Sequence, residues 1–390
     1  MKALAKLAVG IWLMTLGYFG YLGATTLPSE GDSLAYHLPI AKLVETGEWT
    51  KRENFYDAMM YYPSYGETVV AGFIKMGIPA NLFNVLGWVV FSGVAFGLGR
   101  RLGLGRDQAV IAAVTVAMWP TVVRLLNNQT IDIWVGIWWM AALRQLLMLG
   151  KSEKPKNAAG IKNWVWLGIY LGLLVGTKYS GVFYAVILAG VYGSTLWRTS
   201  TRQKMGFGLA FLLIGGFWYV RNWLVIGNPV YPAQVLGFVG VSELAYFSWR
   251  PWMTVIRYPG LLVSALVSEY LVWSLGLLAP LIIRNKLILL GLLNLTVFLI
   301  LPSSYVNVVS DMRYNLVVFL PIFFSGWRWM AQRGRGEVMA ILGGLSIVSE
   351  MTQMDFRPKM FVGLMVVVGV CLLLINRMNF KPLATLKIND

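Results

Sequence analysis

The residues of this chain that are best suited to chemistry lie directly after its first long apolar run. Glu30 and Asp32, followed by His37, the only histidine, stand in the segment from Ser29 to Pro39. A carboxylate at a membrane boundary costs free energy unless it has a partner or a task, and a helix needs no such group in order to span. The pattern therefore indicates a reaction centre based on Asp32, although Asp32 can also cap a helix and His37 can serve only in packing or hydrogen bonding.

Further polar side chains follow other apolar runs and form a second set. Three are cations, Lys178, Arg221 and Arg313, and the fourth is Asp132. Arg and Lys bind phosphate, whereas a carboxylate beside a phosphate requires a bridging divalent cation or a second substrate from which it takes a proton. Together they suit transfer of a group from a phosphorylated carrier to a hydroxyl. Structural alternatives are a helix cap for Asp132, headgroup contacts for the cations, and pairing with a neighbouring helix for Glu269.

These side chains must be positioned by membrane helices, because apolar runs of about 15 to 20 residues recur along the whole chain. Of the 390 residues, 57% are hydrophobic and 13% are charged, and the mean hydropathy is +0.65. A soluble domain carries about 25% charged residues. We therefore predict an all-α polytopic membrane protein with about 12 transmembrane helices. The predicted spans lie near residues 5–24, 82–99, 108–126, 133–150, 163–177, 181–197, 207–226, 260–283, 287–302, 314–330, 337–350 and 360–376.

The net charge of +16 is explained by topology, so that no nucleic-acid partner is needed. With the N-terminus inside, most of the 33 Lys and Arg residues fall on short inner loops, as the positive-inside rule requires. This orientation puts both termini in the cytoplasm and the acidic centre on the extracytoplasmic face. No Cys and His cluster has the spacing of a zinc site, since Cys371 stands alone in an apolar run. Residues 1–24 are expected to remain as the first span, because no small-residue cleavage site follows them.

Two long segments on the predicted outer side, 25–81 and 227–259, are too polar and too interrupted to span. In the first, an apolar repeat at helical spacing from Leu34 to Val44 predicts an amphipathic helix lying in the interface. A second short interfacial helix of about 13 residues is expected to follow it. No internal repeat and no soluble domain is recognisable, so we expect residues 1–390 to form a single transmembrane domain.

Short segments on the predicted outer side follow one another in a recognisable order. They are Glu30 to Pro39, Tyr-Pro-Ser-Tyr-Gly-Glu at 62–67, Asn-Gln-Thr-Ile-Asp at 128–132, and the stretches 176–181 and 221–232. In order and spacing, over nearly the whole chain, they resemble the GT-C superfamily of membrane glycosyltransferases, near the protein O-mannosyltransferase, aminoarabinose-transferase and RgtA/B/C/D-like group. The first loop of that family commonly has an Asp-Glu pair, whereas here Asp32 is followed by Ser33 and preceded by Glu30.

The resemblance implies a polyprenyl- or dolichyl-phosphate sugar donor, inverting transfer and often a divalent cation such as Mg²⁺ or Mn²⁺. Asp32 falls at the family's catalytic carboxylate and Asp132 at the Asp of its second outer loop, and these two are the candidate metal ligands. Asp32 would be the general base, while Asp132 and Glu30 would position the acceptor or a cation. The residues expected to neutralise the donor phosphate are Lys178, Arg221 and Arg313. Those expected to line the cleft are Tyr36, His37 and Tyr62.

We therefore expect an integral membrane glycosyltransferase at the outer leaflet, with a polyprenyl-phosphate sugar donor and membrane lipid as partners and an acceptor that the sequence does not identify. One alternative is a transporter or flippase for a lipid-linked or anionic solute, which is disfavoured because the charges gather at one face and no paired halves are recognisable. The other is a non-catalytic structural subunit of a membrane complex that keeps the same fold. Replacement of the family's Asp-Glu pair slightly favours this second alternative.

Overall fold

The computed structural model describes residues 1–51, 58–150, 160–197, 199–234, 237–241, 250–301 and 308–353, and the regular elements in these ranges are all helical. The α-helices of the first half are α1 (Lys2–Thr25), α2 (Leu38–Thr46), α3 (Tyr65–Lys75), α4 (Phe83–Arg101), α5 (Arg106–Ala117), α6 (Pro120–Val123), α7 (Asp132–Gly150), α8 (Ile161–Thr177) and α9 (Ser180–Val191). Those of the second half are α10 (Gly193–Trp197), α11 (Thr201–Gly215), α12 (Phe217–Ile226), α13 (Pro251–Arg257), α14 (Pro259–Tyr270), α15 (Lys286–Ile300), α16 (Val308–Asp311), α17 (Leu316–Gln332) and α18 (Gly336–Gln353).

The prediction of a multi-pass helical membrane protein is confirmed. Five helical segments of the described residues are long and apolar enough to cross a membrane, and a sixth is formed by α11 and α12, which meet at a bend of 47°. The five segments are Lys2–Thr25, Ala80–Arg101, Asp132–Gly150, Pro259–Leu281 and Val308–Gln332. The twelfth predicted span, 360–376, and Cys371 lie outside the described residues.

Some predicted spans are interrupted where a uniform helix was expected. The predicted span 108–126 stops at Ala117 and resumes at Pro120, because a proline disfavours helical backbone in the residue before it and Trp119 is extended. The predicted span 260–283 changes at Leu271 from an α-helix to a 3₁₀-helix, and Leu271 has a positive φ of 52°.

The helices α8 and α11 pack together through glycines. A Cβ atom on Gly215 would lie 3.1 Å from Cα of Gly172, and one on Gly168 would meet the backbone of Phe207. Small residues at spacing i, i+4 allow the backbones of membrane helices to approach closely. The remaining face of this helix pair is apolar and exposed, as expected for contact with lipid tails. The leucines of α11 on this face are 62–68% exposed, at positions Leu209, Leu212 and Leu213.

The first of the two long segments between predicted spans, 25–81, contains the two short helices that the sequence predicts. A π-helical turn, Ser33–His37, continues directly into α2, which packs against α3. The helix α3 has 11 residues, slightly fewer than predicted. The second long segment, 227–259, contains a turn at Gly227, with a left-handed φ of 74°, and the helix α13, while residues 242–249 lie outside the described residues.

Candidate active site

Asp32 stands in the first turn of the helix that runs into α2, and Glu30 begins this helix. Oε2 of Glu30 accepts hydrogen bonds from the Ser33 amide at 2.7 Å and from the Ser33 hydroxyl at 2.8 Å. The Ser33 hydroxyl in turn accepts a hydrogen bond of 3.0 Å from the Gln129 amide. Glu30 thus satisfies the Ser33 amide, one of those that a helix start leaves without a partner, and Ser33 joins the Asp32 segment to the turn that precedes α7.

Arg313 connects the two aspartates that the sequence analysis singles out. Its Nη2 donates to Oδ2 of Asp32 at 2.5 Å, and its Nε lies 3.4 Å from Oδ2 of Asp132. On the other side, Nζ of Lys178 donates to Oδ1 of Asp132 at 2.7 Å. Asp132 is buried, whereas the Asp32 side chain is 39% exposed. The four side chains form a chain of alternating charge, Asp32–Arg313–Asp132–Lys178, in which Asp32 is the accessible end; we call it the charged cluster.

Tyrosine rings cover the charged cluster. Nζ of Lys178 lies 3.9 Å from the centroid of the Tyr314 ring, and Nη2 of Arg313 is 3.2 Å from the Tyr314 hydroxyl. Tyr36 lies near the same charges. Burial and the neighbouring carboxylate of Asp32 raise the pKa of its hydroxyl well above the ordinary value. Tyr36 therefore keeps its proton at neutral pH and can donate a hydrogen bond at the mouth of the site.

The aromatic lining extends from Tyr36 through a series of ring contacts. Its ring centroid lies 6.5 Å from that of Tyr62, which in turn lies 5.4 Å from that of Tyr179. The Tyr179 hydroxyl donates to the backbone oxygen of Tyr231 at 2.6 Å, so the segment 227–259 also contacts this wall. Two of the residues expected to line the cleft, Tyr36 and Tyr62, thus lie in one aromatic wall beside the charged cluster.

His37, also expected in the cleft lining, is buried beneath it. Its Nδ1 lies 2.6 Å from Oε1 of Glu67, which is equally buried. This pair joins the π-helical turn to α3, and the His37 ring lies 4.1 Å from that of Tyr36. The position fits the alternative in which His37 serves in hydrogen bonding and packing. Glu67 lies within the motif at 62–67, but only the fold reveals that it faces His37.

Arg221, the third expected phosphate ligand, lies among aromatic rings. Its guanidinium carbon is 4.9 Å from the centroid of Trp218 and 5.9 Å from that of Tyr61, and the side chain is buried. The next residue, Asn222, donates to the Tyr61 carbonyl at 2.7 Å and to the Tyr179 hydroxyl at 3.0 Å. Arg221 is thus connected to the aromatic wall, whereas Lys178 and Arg313 bind the carboxylates directly.

A second ion pair accounts for Glu269. Arg124 donates from Nη1 to Oε1 of Glu269 at 2.7 Å and from Nη2 to the Val309 carbonyl at 3.0 Å. This agrees with the alternative in which a neighbouring helix satisfies Glu269. The sequence analysis missed Arg124 because it fell within a predicted span, where a lone arginine is itself a signal. Tyr314 was missed as well, although it directly follows Arg313.

The expected divalent cation would have Asp32 and Asp132 as its ligands. In the part of the chain that the structure describes, no group of three or more His, Cys, Asp or Glu side chains is arranged to hold a metal ion. Arg313 lies between the two carboxylates, and Lys178 binds the second. This donor set does not fit a cation, because Arg313 already supplies the positive charge between the aspartates. We therefore derive no step through a metal.

Comparison with known proteins identifies the fold. No protein-family model and no curated protein matches the sequence. Two crystal structures of ArnT from Cupriavidus metallidurans are similar, each with a TM-score of 0.57. The structure bound to undecaprenyl phosphate is 16% identical over 95% of this chain, and the apo structure is 17% identical over 94%. The chain spans 64% and 63% of those proteins, less than two thirds of their length. This chain therefore shares the fold of these two ArnT structures.

Proposed function

We propose that the protein is a membrane glycosyltransferase that moves a sugar from a polyprenyl-phosphate-linked donor to an acceptor hydroxyl. The observation that carries the proposal is the charged cluster, in which an accessible carboxylate and two cations are connected through the buried Asp132. Its support from comparison is the ArnT fold, which has been solved with bound undecaprenyl phosphate. Because the sequence identity is low, the donor and the reaction belong to the proposal and not to the comparison.

The donor phosphate would bind at Arg313 and Lys178. Both cations now contact carboxylates, so a phosphate must compete for their N–H donors. Arginine holds phosphate through two parallel hydrogen bonds and lysine binds it as a point charge, so the two together offset the charge of a departing phosphate. Asp132 would hold both cations in position through its contacts with Lys178 and Arg313. When Arg313 turns from Asp32 to the phosphate, the Asp32 carboxylate becomes free for the acceptor.

Asp32 would then act as the general base. It takes the proton of the acceptor hydroxyl while the acceptor oxygen forms a bond to the anomeric carbon. The bond from that carbon to the phosphate oxygen breaks, and its electron pair leaves with the polyprenyl phosphate. Attack opposite the leaving group inverts the anomeric configuration in one displacement. Tyr36, protonated at neutral pH, and Tyr62 would orient the sugar ring, while Glu30 holds the Asp32 segment in its helical conformation.

We also propose that the charged cluster lies on the extracytoplasmic side, because the positive-inside rule assigns the loops rich in Lys and Arg to the cytoplasm. A lipid-linked donor would reach the charged cluster from the outer leaflet, along the exposed apolar faces of the helices.

Sugar transfer in membranes that contain the full-length protein tests the proposal. Membranes are incubated with a polyprenyl-phosphate-linked radiolabelled sugar, and label is followed into products other than the donor. We expect Asp32→Asn to lower the transfer rate at least a hundredfold, in line with the loss of a general base. The matched control is Asp107→Asn, an aspartate in the first turn of α5. Full transfer by Asp32→Asn at normal expression would overturn the proposal.

A further inference from the structure

A second polar region lies beside the charged cluster, in a cavity of about 390 Å³. The cavity brings together three carboxylates from distant parts of the chain, Glu30, Glu269 and Glu350, and one guanidinium, Arg124. Apolar groups of Phe19 and of the short helix α6 complete its wall. The reaction described above does not use this space, and its acidic lining contrasts with the two cations at the donor site.

The carboxylates of this cavity are not fully satisfied by the protein. One oxygen of Glu269 binds Arg124, whose side chain is 41% exposed. Glu350 is only 5% exposed, and its Oε2 has no hydrogen-bond partner among the described residues. Leaving a buried carboxyl oxygen without a partner costs free energy, and a ligand that donates a hydrogen bond to it would remove this cost. Glu350 thus offers a buried acceptor oxygen in a cavity large enough to hold a sugar-sized group.

Two chain segments connect the cavity to the charged cluster. Glu30 lines the cavity and precedes Asp32 by two residues, while its carboxylate binds Ser33. Asn128 also lines the cavity, and its Oδ1 accepts hydrogen bonds from Thr130 in the turn that ends at Asp132. A molecule in the cavity would therefore lie next to the segment that carries the proposed base.

We propose that this cavity binds the polar head of the acceptor and that it selects an uncharged or amine-bearing polyol over an anionic one. The inference rests on the proposed function and adds the acceptor's chemical class to it. Hydroxyl and ammonium groups donate hydrogen bonds, which Oε2 of Glu350 does not receive from any described residue, and an ammonium also offsets the charge of neighbouring carboxylates. A phosphate or carboxylate on the acceptor would instead meet the carboxyl groups of Glu30 and Glu350, while the guanidinium of Arg124 is already paired with Glu269.

This arrangement separates the two substrates by charge. The anionic donor would bind where Lys178 and Arg313 supply positive charge, and the acceptor would bind where carboxylates predominate. The acceptor cavity lacks an unpaired cation among its described lining residues, so it would bind free polyprenyl phosphate less well than the donor site does.

Binding of small sugars to the full-length protein in nanodiscs tests the inference. Saturation-transfer NMR compares glucosamine, glucose and glucose 6-phosphate as probes. We expect glucosamine to bind at least tenfold more tightly than glucose 6-phosphate, with glucose between them. Glu350→Gln should weaken glucosamine binding about tenfold, because a carboxyl group, which can pair with an ammonium, is replaced by a neutral amide. Glu269→Gln, on another helix, is a second variant, and Glu48→Gln, an exposed glutamate paired with Lys51, is the matched control.

The outcomes also separate this inference from the proposed function. Undecaprenyl phosphate binding is measured on the same samples, and retention of it in Glu350→Gln shows that the variant is folded. If neither variant folds, the order of the three probes on the unmodified protein decides. Glucose 6-phosphate binding as tightly as glucosamine, or unchanged glucosamine binding in a folded Glu350→Gln or Glu269→Gln protein, would overturn the acceptor site alone. Full sugar transfer by Asp32→Asn, in a protein that still binds glucosamine, would overturn the proposed function alone.

Discussion

Arg313 is the residue whose replacement tests the donor site most sharply. It contacts Asp32 and Asp132 at 2.5 and 3.4 Å, and no smaller side chain can reach both. In the proposed complex it would donate to the lipid phosphate. A hydrogen bond to a charged group contributes about 1.5–3 kcal/mol, and about 1.4 kcal/mol corresponds to tenfold in affinity. We therefore expect Arg313→Ala to weaken undecaprenyl phosphate binding by roughly 10- to 100-fold.

The loss of affinity in Arg313→Ala should lie near the upper end of this range, because the carboxylates of Asp32 and Asp132 then remain to repel the phosphate. Arg313→Lys keeps the charge but loses the second donor, so it should recover only part of the affinity. Binding is measured by titration of labelled undecaprenyl phosphate into protein in nanodiscs. Arg333→Ala, at the far end of α17, is the matched control, and the melting temperature of each variant reports folding. Binding by a folded Arg313→Ala protein within twofold of the unmodified protein would refute the reasoning.

Three further predictions concern the supports of the site. Glu67→Ala removes the partner of buried His37 and should lower the free energy of unfolding by about 1–3 kcal/mol, which appears as a lower melting temperature; an unchanged melting temperature would contradict this. Gly168→Val places a side chain against the backbone of Phe207 and should cost about 1–3 kcal/mol, whereas Gly208→Val, where a Cβ meets nothing within 4 Å, is its control. Treatment with EDTA should leave undecaprenyl phosphate binding within about twofold, because Arg313 and Lys178 supply the positive charge; a tenfold loss that Mg²⁺ restores would contradict this.

The overall fold could be predicted from the sequence because its signals are local. Apolar runs mark the helices, and inner-loop lysines and arginines predict their orientation. The interruptions at Pro120 and Leu271 were not anticipated, although Pro120 is a local breaker signal. At Leu271 the backbone adopts a positive φ without a glycine, and no residue type marks this position in advance.

The candidate site could be predicted only in part. Asp32, Asp132, Lys178 and Arg313 were selected separately at the ends of apolar runs, and the structure brings them into contact. Two of their three contacts, Asp32–Arg313 and Arg313–Asp132, join residues more than a hundred positions apart, which a single sequence does not encode locally. Glu30 illustrates the limit, because its side chain starts the helix and also lines the acidic cavity.

The central claim is that a polyprenyl phosphate binds beside Asp32. An electron cryomicroscopy structure of the full-length protein in nanodiscs with undecaprenyl phosphate tests it most directly. The account predicts phosphate density within hydrogen-bond distance of Arg313 and Lys178, with the Arg313 guanidinium moved away from Asp32. Phosphate density elsewhere, or an Arg313 guanidinium that still contacts Asp32 at saturating lipid, would contradict it.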